Sequence, residues 1–412
     1  MITVSRYARL MQLKRRRMIN LIIDNRKITV PEGTSLIEAA RMNGIDIPSL
    51  CYKKGLPHYT SCMICMVKDE NNNRFIPSCS ASSEEGMVIA TTGNEIDTLR
   101  REAIELLLAE HRAECEAPCS LVCPMDLDIP AMNRLVAKGD FKSAALMIQK
   151  ELILPGVACT ICPGYCENAC RRKMIDEKIA IRDIIKYTYS FIDPVEAPDM
   201  NEAKALLPGF DPDEALSGNA SKDKKVIRNM AEAKRKGAGT TDSNEKGEKG
   251  LQRKRFNSTL GKITDEEKKE WLKECRQESA RWPRPQNADQ LMGEASACMH
   301  CDCRAKDDCR LREMAEELGA RNPKIKLVSH PIEKKINREN KLIFENAKCI
   351  KCGLCIRVSS DRTDDPSLCF TGRGSMSLVS EPLTVSFENI LKNGIEEVVN
   401  ICPTGALGKI DM

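Results

Sequence analysis

Cysteine constrains this 412-residue chain more than any other feature: it carries 21, and all but Cys275 and Cys369 fall into five groups. A basic start is followed by no apolar run with a small-residue cleavage site, so no secretory signal is read. No apolar run is long enough to suggest a membrane-spanning helix. Structural disulfides do not persist in a reducing compartment, and grouped cysteines there read as metal ligands or redox sites. The expected location is cytoplasmic.

Charge helps to set the domain plan. Residues 1–17 hold six Lys/Arg and no acid, and are read as sequence upstream of a natural start at Met18. A membrane-surface helix is the sharper alternative there, but the stretch lacks a sustained apolar face. Residues 217–255 hold twelve Lys/Arg against five Asp/Glu, with little apolar periodicity, and read as a solvated linker. Setting both basic stretches aside leaves about −9 for the cysteine-bearing body, the wrong sign for docking on nucleic acid.

Local patterns place the groups. Met18–Pro31 predicts two strands turning at Asp24-Asn25. Ser35 with Glu38 predicts a capping box, and Gly44 a helix stop. A periodic helix is expected over 95–109, on Ile96, Leu99, Ala103, Ile104 and Leu107. A helical pair over 129–154 breaks at Gly139-Asp140, and a further helix is expected over 175–191.

The first group, Cys51, Cys62, Cys65 and Cys79, is spaced C-x10-C-x2-C-x13-C. Soft thiolates suit iron–sulfur clusters, and wide outer gaps suit a compact zinc loop poorly. Ile47-Pro48-Ser49-Leu50-Cys51-Tyr52, Ser61-Cys62-Met63-Ile64-Cys65, Ser78-Cys79 and Gly86-Met87-Val88 resemble the [2Fe–2S] domain of NADH dehydrogenase iron–sulfur subunits and iron-only hydrogenases. The chain departs from that family at Met63, where a basic residue is usual. The resemblance spans about 18–111 and implies a β-grasp domain with these four cysteines as ligands.

His111-x3-Cys115 is similar to the His-ligated [4Fe–4S] site of the same family, although the gaps that follow differ. Ala117-Pro118-Cys119, Cys123-Pro124, Asp128-Ile129-Pro130 and Cys159-Thr160-Ile161-Cys162-Pro163 resemble a second family. It is the N-terminal iron–sulfur domain of glutamate synthase small subunits and dihydropyrimidine dehydrogenases. That resemblance covers about 113–191 and implies two [4Fe–4S] clusters: Cys123, Cys162, Cys166 and Cys170 for one; His111, Cys115, Cys119 and Cys159 for the other. The family's Gln ligand falls near Ile185, which cannot ligate, so another group must close that cluster. His111 also reads as a plain helix-end histidine; the ligand role is preferred.

Cys298, Cys301, Cys303 and Cys309 form a compact group that suits [4Fe–4S] or zinc. Thr264–Cys309 resembles the tail of glutamate-synthase-like flavoproteins. Cys349, Cys352 and Cys355 lack a local fourth cysteine, because Ser359 stands there, so Cys402 is expected to complete one [4Fe–4S] site. Gly372-Arg373-Gly374 fits the ferredoxin-like segment of NADH dehydrogenase chains. Leu368-Cys369-Phe370 reads as an inward-packing strand.

No G-x-G-x-x-G follows a strand and no P-loop is present, so no flavin or nucleotide is expected in this chain. The expected fold is α+β multidomain. Its parts are a basic extension (1–17), a β-grasp [2Fe–2S] domain (18–94) and a helical domain with two [4Fe–4S] clusters (95–193). A linker (194–263, largely disordered over 217–255), a cysteine-rich metal segment (264–330) and a ferredoxin-like [4Fe–4S] domain (331–412) follow. The expected cofactors are one [2Fe–2S] and three to four [4Fe–4S], with zinc the alternative at 298–309. The expected role is an electron-transfer subunit of a multisubunit oxidoreductase, between a flavin-bearing NAD(P)H dehydrogenase subunit and a second redox subunit. The competing reading is a zinc-stabilised scaffold with no redox role.

Overall fold

The computed structural model describes residues 17–111, 115–152, 155–191, 285–321, 333–362 and 367–410. The basic linker at 217–255, Cys275 and nearly all of the basic extension lie outside the described residues. The chain forms two compact units. One takes the described parts of Met1–His111, Asp308–Pro331 and Asn337–Lys409; the other takes those of Arg112–Asp307 and Ile332–Ile336, with Ile410.

The first unit begins with a five-stranded mixed sheet. Strands β1 (Met18–Ile23), β2 (Arg26–Pro31), β3 (Met66–Asp69), β4 (Arg74–Pro77) and β5 (Val88–Ala90) lie in the order β2-β1-β5-β3-β4. β1 and β2 pair antiparallel from Met18↔Pro31 to Ile23↔Arg26, leaving Asp24 and Asn25 as a two-residue turn. Both turn residues have positive φ, as a type I′ hairpin requires and Asp/Asn tolerate. Alternation in β1 buries Ile19, Leu21 and Ile23 against helix Leu36–Met42. β1 pairs parallel with β5, and β3 antiparallel with β5 and β4.

Two details of this region differ from the sequence reading. Helix Leu36–Met42 forms and Gly44 ends it with positive φ, but Ser35 makes no side-chain cap. The first helical N–H groups donate instead to carbonyls of the cysteine loop, Leu36 to Ala81 (2.9 Å) and Ile37 to Ser78 (3.0 Å). Glu38 is drawn away to the Tyr52 hydroxyl (3.0 Å) and Lys54 (3.0 Å). Helix Asn94–Glu110 buries Ile96, Arg100, Ile104 and Leu108, not the Leu99 and Leu107 face. The buried stripe includes an arginine because two inward-facing carbonyls await it.

The rest of this unit is small. Strand Leu342–Glu345 pairs antiparallel with Leu407–Lys409, and Cys369–Thr371 with Leu378–Ser380. Helices Leu354–Arg362 and Ile395–Ile401 pack together, and Arg310–Glu317 packs on Asn94–Glu110. Leu368 is buried, but Phe370 is 44% exposed, so the inward packing expected of that run holds only at its start. A three-residue strand paired on one side has no second layer to cover both of its faces.

The second unit is helical. Asp128 caps Ile129–Ala137 through the Ala131 N–H, and Asp140 caps Phe141–Glu151 through the Ser143 N–H, so the expected break falls where predicted. Short helices Pro118–Leu121, Pro155–Ile161 and Tyr165–Ala169 carry Cys119, Cys159 and Cys166, and Cys170 caps the last of them. The helix expected from 175 starts only at Ile181. The Ala180 N–H is held outside it by the Glu294 carboxylate (2.9 Å). Helix Ala288–Ser296, capped by Asn287, packs on Ile129–Ala137. Its follow-on loop is locked by Arg134 on both oxygens of buried Asp302 (3.2 and 3.0 Å) and by Arg172 on the Ala297 carbonyl (3.0 Å).

Candidate metal centres

In the first unit Cys51, Cys62, Cys65 and Cys79 are all nearly fully buried and close enough to hydrogen-bond one another. The Cys62 and Cys79 sulfurs stand beside that of Cys51, whose pKa is held far below its usual value while theirs are pushed up. Cys79 likewise lowers Cys65, to about 7. Four buried sulfurs gathered in this way are a donor set for a multi-iron cluster, whose binding displaces their protons. Met63 has positive φ and is 42% exposed, so the departure from the basic residue sits on the loop's outer face.

Arg100, which sequence reasoning missed, props this loop. It is 5% exposed and donates to the Ile64 carbonyl (3.0 Å) and the Met66 carbonyl (2.9 Å), on either side of Cys65. Its only sequence signal was a charge on the face that continues Ile96 and Ile104.

The same unit gathers Cys349, Cys352, Cys355 and Cys402. Burial pushes the Cys349 and Cys352 thiols up to about 12 and raises Cys355 well above its usual value, with the Cys402 sulfur facing all three. The Lys351 N–H donates to the Cys349 sulfur (3.3 Å), and the Thr404 hydroxyl lies 3.7 Å from the Cys402 sulfur. Ser359 turns away, donating to the Cys355 carbonyl (2.8 Å).

Arg357 joins these two cysteine loops. It is 5% exposed and donates to the Cys51 carbonyl (2.8 Å), the Cys352 carbonyl (3.0 Å), the Gly353 carbonyl (3.1 Å) and the Pro57 carbonyl. Its guanidinium stacks 4.5 Å from the Tyr59 ring centre. A Cβ on Gly353, whose φ is +67°, would lie 2.8 Å from that ring, so this backbone requires glycine.

His111 ends helix Asn94–Glu110 in this unit, 8% exposed, with no partner for Nδ1. Burial, then the Lys348 ammonium, lowers its pKa to about 4, so it is neutral with a lone pair to give. The Cys309 thiol donates to the Pro403 carbonyl (3.9 Å) in the same unit. Cys115, Cys119 and Cys159, expected beside His111, belong to the other unit, as do Cys298, Cys301 and Cys303, expected beside Cys309.

The second unit has two cysteine-lined cavities, and their membership differs from the expected sets. Cys123, Cys159, Cys162 and Cys166 line one, with Ile185 in its wall. Cys159 therefore stands where the sequence reading placed Cys170, opposite the isoleucine that replaces the resembled family's Gln. Burial raises all three of Cys123, Cys159 and Cys166, with each facing others of the set. The Gly164 N–H donates to the Cys162 sulfur (3.4 Å), and Arg182 holds the Cys162 carbonyl (2.8 Å). Cys119, Cys170, Cys298 and Cys301 line the other cavity. Cys303 does not line it; its N–H donates to the Cys115 carbonyl (3.1 Å). Among the described residues no three His, Cys, Asp or Glu side chains are arranged to hold a single metal ion. No single helix among them is long and apolar enough to cross a membrane.

Comparison with known proteins finds iron–sulfur domains in three segments of the chain. Residues 16–94 match the model of a 2Fe-2S iron–sulfur cluster binding domain. Residues 94–196 match dihydropyrimidine dehydrogenase domain II, 4Fe-4S cluster. Residues 341–408 match the ferredoxin-like domain of NADH-quinone oxidoreductase subunit 3. The mitochondrial NADH-ubiquinone oxidoreductase 78 kDa subunit of Candida albicans is 33% identical over 102 residues, covering 25% of this chain and 14% of that protein. NADP-reducing hydrogenase subunit HndD of Solidesulfovibrio fructosivorans is 35% identical over 111 residues, 26% of this chain and 18% of the relative. NADPH-Fe(3+) oxidoreductase subunit alpha of Geobacter sulfurreducens is 26% identical over 188 residues, 45% of this chain and 22% of the relative. The chain thus spans less than a quarter of the length of these relatives. A solved NAD+-reducing [NiFe]-hydrogenase in the H2-reduced state aligns over 95% of this chain and 87% of its own, at 13% identity and TM-score 0.43. The chain therefore joins a 2Fe-2S domain, a dihydropyrimidine dehydrogenase-type 4Fe-4S domain and an NADH-quinone oxidoreductase-type ferredoxin-like domain, and over part of its length is similar to subunits of NADH- and NADPH-linked oxidoreductases.

Proposed function

We propose that the chain is an electron-transfer subunit of a cytoplasmic oxidoreductase, relaying electrons between a flavin-bearing NAD(P)H dehydrogenase subunit and another redox subunit. The observation that carries the reading is Arg357, which donates to the backbone of both Cys51 and Cys352. Two cysteine cradles built by residues far apart in sequence share one buried cation. A scaffold stapled by separate metal ions has no use for that closeness; a relay needs it. The Cys352 thiol also faces the Cys51 sulfur.

The residues suit the groups named. Cys51, Cys62, Cys65 and Cys79 hold the [2Fe–2S] cluster, in a β-grasp domain. Cys349, Cys352, Cys355 and Cys402 hold one [4Fe–4S] cluster, and Cys123, Cys159, Cys162 and Cys166 another. When bound, such clusters supply one-electron transfer at potentials set by ligands, N–H···S bonds and burial. The protein's part is to bury the sulfurs, direct N–H donors at them from Lys351 and Gly164, and fix their separation. Hydride chemistry belongs to partners.

Metal and spectroscopic analysis of anaerobically purified protein tests this. The expected result is iron on the order of 14 to 18 atoms per chain, as one [2Fe–2S] and three to four [4Fe–4S] clusters. Dithionite should develop paramagnetic resonance signals of both cluster types. Zinc in excess of iron, with no visible absorption, would replace the relay by the scaffold.

A further inference from the structure

The group 298–309 reads in sequence as one self-contained site, but the structure divides it. We infer that Cys298 and Cys301 complete a [4Fe–4S] site with Cys119 and Cys170. The inference rests on the cluster-binding reading above and extends it beyond residues 94–196, where the matched 4Fe-4S domain lies.

The four cysteines line one otherwise mostly apolar cavity in the second unit. Burial raises the Cys119 thiol well above its usual pKa, and the sulfurs it faces first are Cys298 and Cys301, then Cys170. Cys301 in turn faces Cys298 and Cys170. Cys298 faces Cys170 as well, and neither Cys303 nor Cys309 lines the cavity. Four buried thiols without a disulfide are costly as thiolates, and a cationic cluster core removes that cost.

The wall suits an anionic tetrathiolate group. Arg171 and Lys334 both favour the charged form of Cys301. Asn133, fully buried, meets no conventional hydrogen-bond partner, and its amide stands near enough to the Cys298 sulfur to oppose the rise of that thiol's pKa. A donor left in that position is what a bound thiolate sulfur needs. The delivery of Cys298 and Cys301 is also built in. Helix Ala288–Ser296 ends just before Cys298, and the loop after it is pinned by Arg172 on Ala297 and Arg134 on Asp302, the neighbours of these two cysteines. Both anchoring arginines come from the segment that carries Cys119 and Cys170.

The test is additivity of iron loss in the full chain, prepared anaerobically. Cys119→Ser, Cys170→Ser, Cys298→Ser and Cys301→Ser should each lose the same [4Fe–4S] resonance and about four irons. The double variant Cys119→Ser/Cys301→Ser should lose no more than either alone. Cys303→Ser should keep that resonance. A retained [2Fe–2S] signal reports that the first unit has folded, and a retained resonance of the cluster at Cys123, Cys159, Cys162 and Cys166 reports the same for the helical unit. Loss of about eight irons in the double variant would place the pairs in separate clusters and overturn the inference while leaving the relay intact. Zinc retained at 298–301 in an otherwise iron-loaded chain would also overturn it. Absence of iron from the wild type would instead sink the relay itself.

Discussion

Arg357→Met should lower the midpoint potentials of two clusters at once. The side chain is 5% exposed and its guanidinium contacts the carbonyls of Cys51 and Cys352 at 2.8 and 3.0 Å. A cation beside a cluster favours the reduced, more negative state, so removing it makes reduction harder. At an effective dielectric of about 20 and a separation of roughly 8 Å, one charge contributes ~2 kcal/mol. For a one-electron couple that is on the order of 90 mV for each cluster, taking 59 mV per tenfold change in equilibrium constant. Methionine also removes the guanidinium donor from the carbonyls of buried Cys51 and Cys352, so a structural effect has to be separated from a charge effect. Arg357→Lys does this, because it keeps the charge and loses most of the fork geometry. Potentiometric titration followed by electron paramagnetic resonance is the assay. Methionine should shift both couples downward by tens of millivolts, and lysine by much less. Equal shifts for the two variants, or a methionine shift confined to one couple, would refute the shared-cation argument.

Cys402→Ser should remove one [4Fe–4S] resonance and spare the [2Fe–2S] signal, whereas Cys369→Ser should spare both; Cys369 is half-exposed on a hairpin strand, and its raised thiol pKa follows from burial and from Glu381. The reverse pattern would show that the wrong distant cysteine was assigned. Gly353→Ala should weaken the chain by about 1–3 kcal/mol, read as a lower thermal midpoint, because a Cβ at positive φ meets the Tyr59 ring; an unchanged midpoint would mean the ring moves aside freely. The purified chain should carry no stoichiometric flavin and should not oxidise NADH unaided, and a bound flavin by absorption would reveal an overlooked nucleotide site.

Much of the arrangement was legible where ligands lie close in sequence or where local rules act alone. The Asp24-Asn25 turn, the break at Gly139-Asp140 and the Gly44 stop each follow from one residue's backbone preference. The gathering of Cys349, Cys352, Cys355 and Cys402 followed from ligand arithmetic, since Ser359 is a poor substitute for a thiolate. What was not legible depended on tertiary partners. Ser35 reads as a cap, yet the helix N–H groups find the 78–81 carbonyls first. Arg100 drew no reading from the sequence, yet it is an internal prop for Cys65. The helix expected from 175 loses its first turn because Glu294, far away in sequence, claims the Ala180 N–H.

The cysteine groups fail as guides to cluster membership for a related reason. Spacing fixes which thiols share a loop, but a cube of iron and sulfur draws from every loop around it. Cys159 and Cys170 belong to one sequence group, but they face opposite cavities because the short helices Pro155–Ile161 and Tyr165–Ala169 project them differently. Ile129 lines both cavities, so the two sites are separated by little more than one side chain. Such proximity serves electron transfer, and it also couples stability. If four buried thiols drawn from distant loops close around one cluster, assembly of that cluster fixes the loops relative to each other, and its binding energy becomes folding energy of the helical unit. Chelation or oxidative loss of iron should therefore loosen Ala288–Ser296 and Ile129–Ala137 together. Hydrogen exchange of the cluster-free protein would report this, and protection of both helices unchanged from the loaded state would show that the helical core of Leu291, Met132 and Val136 holds them without metal.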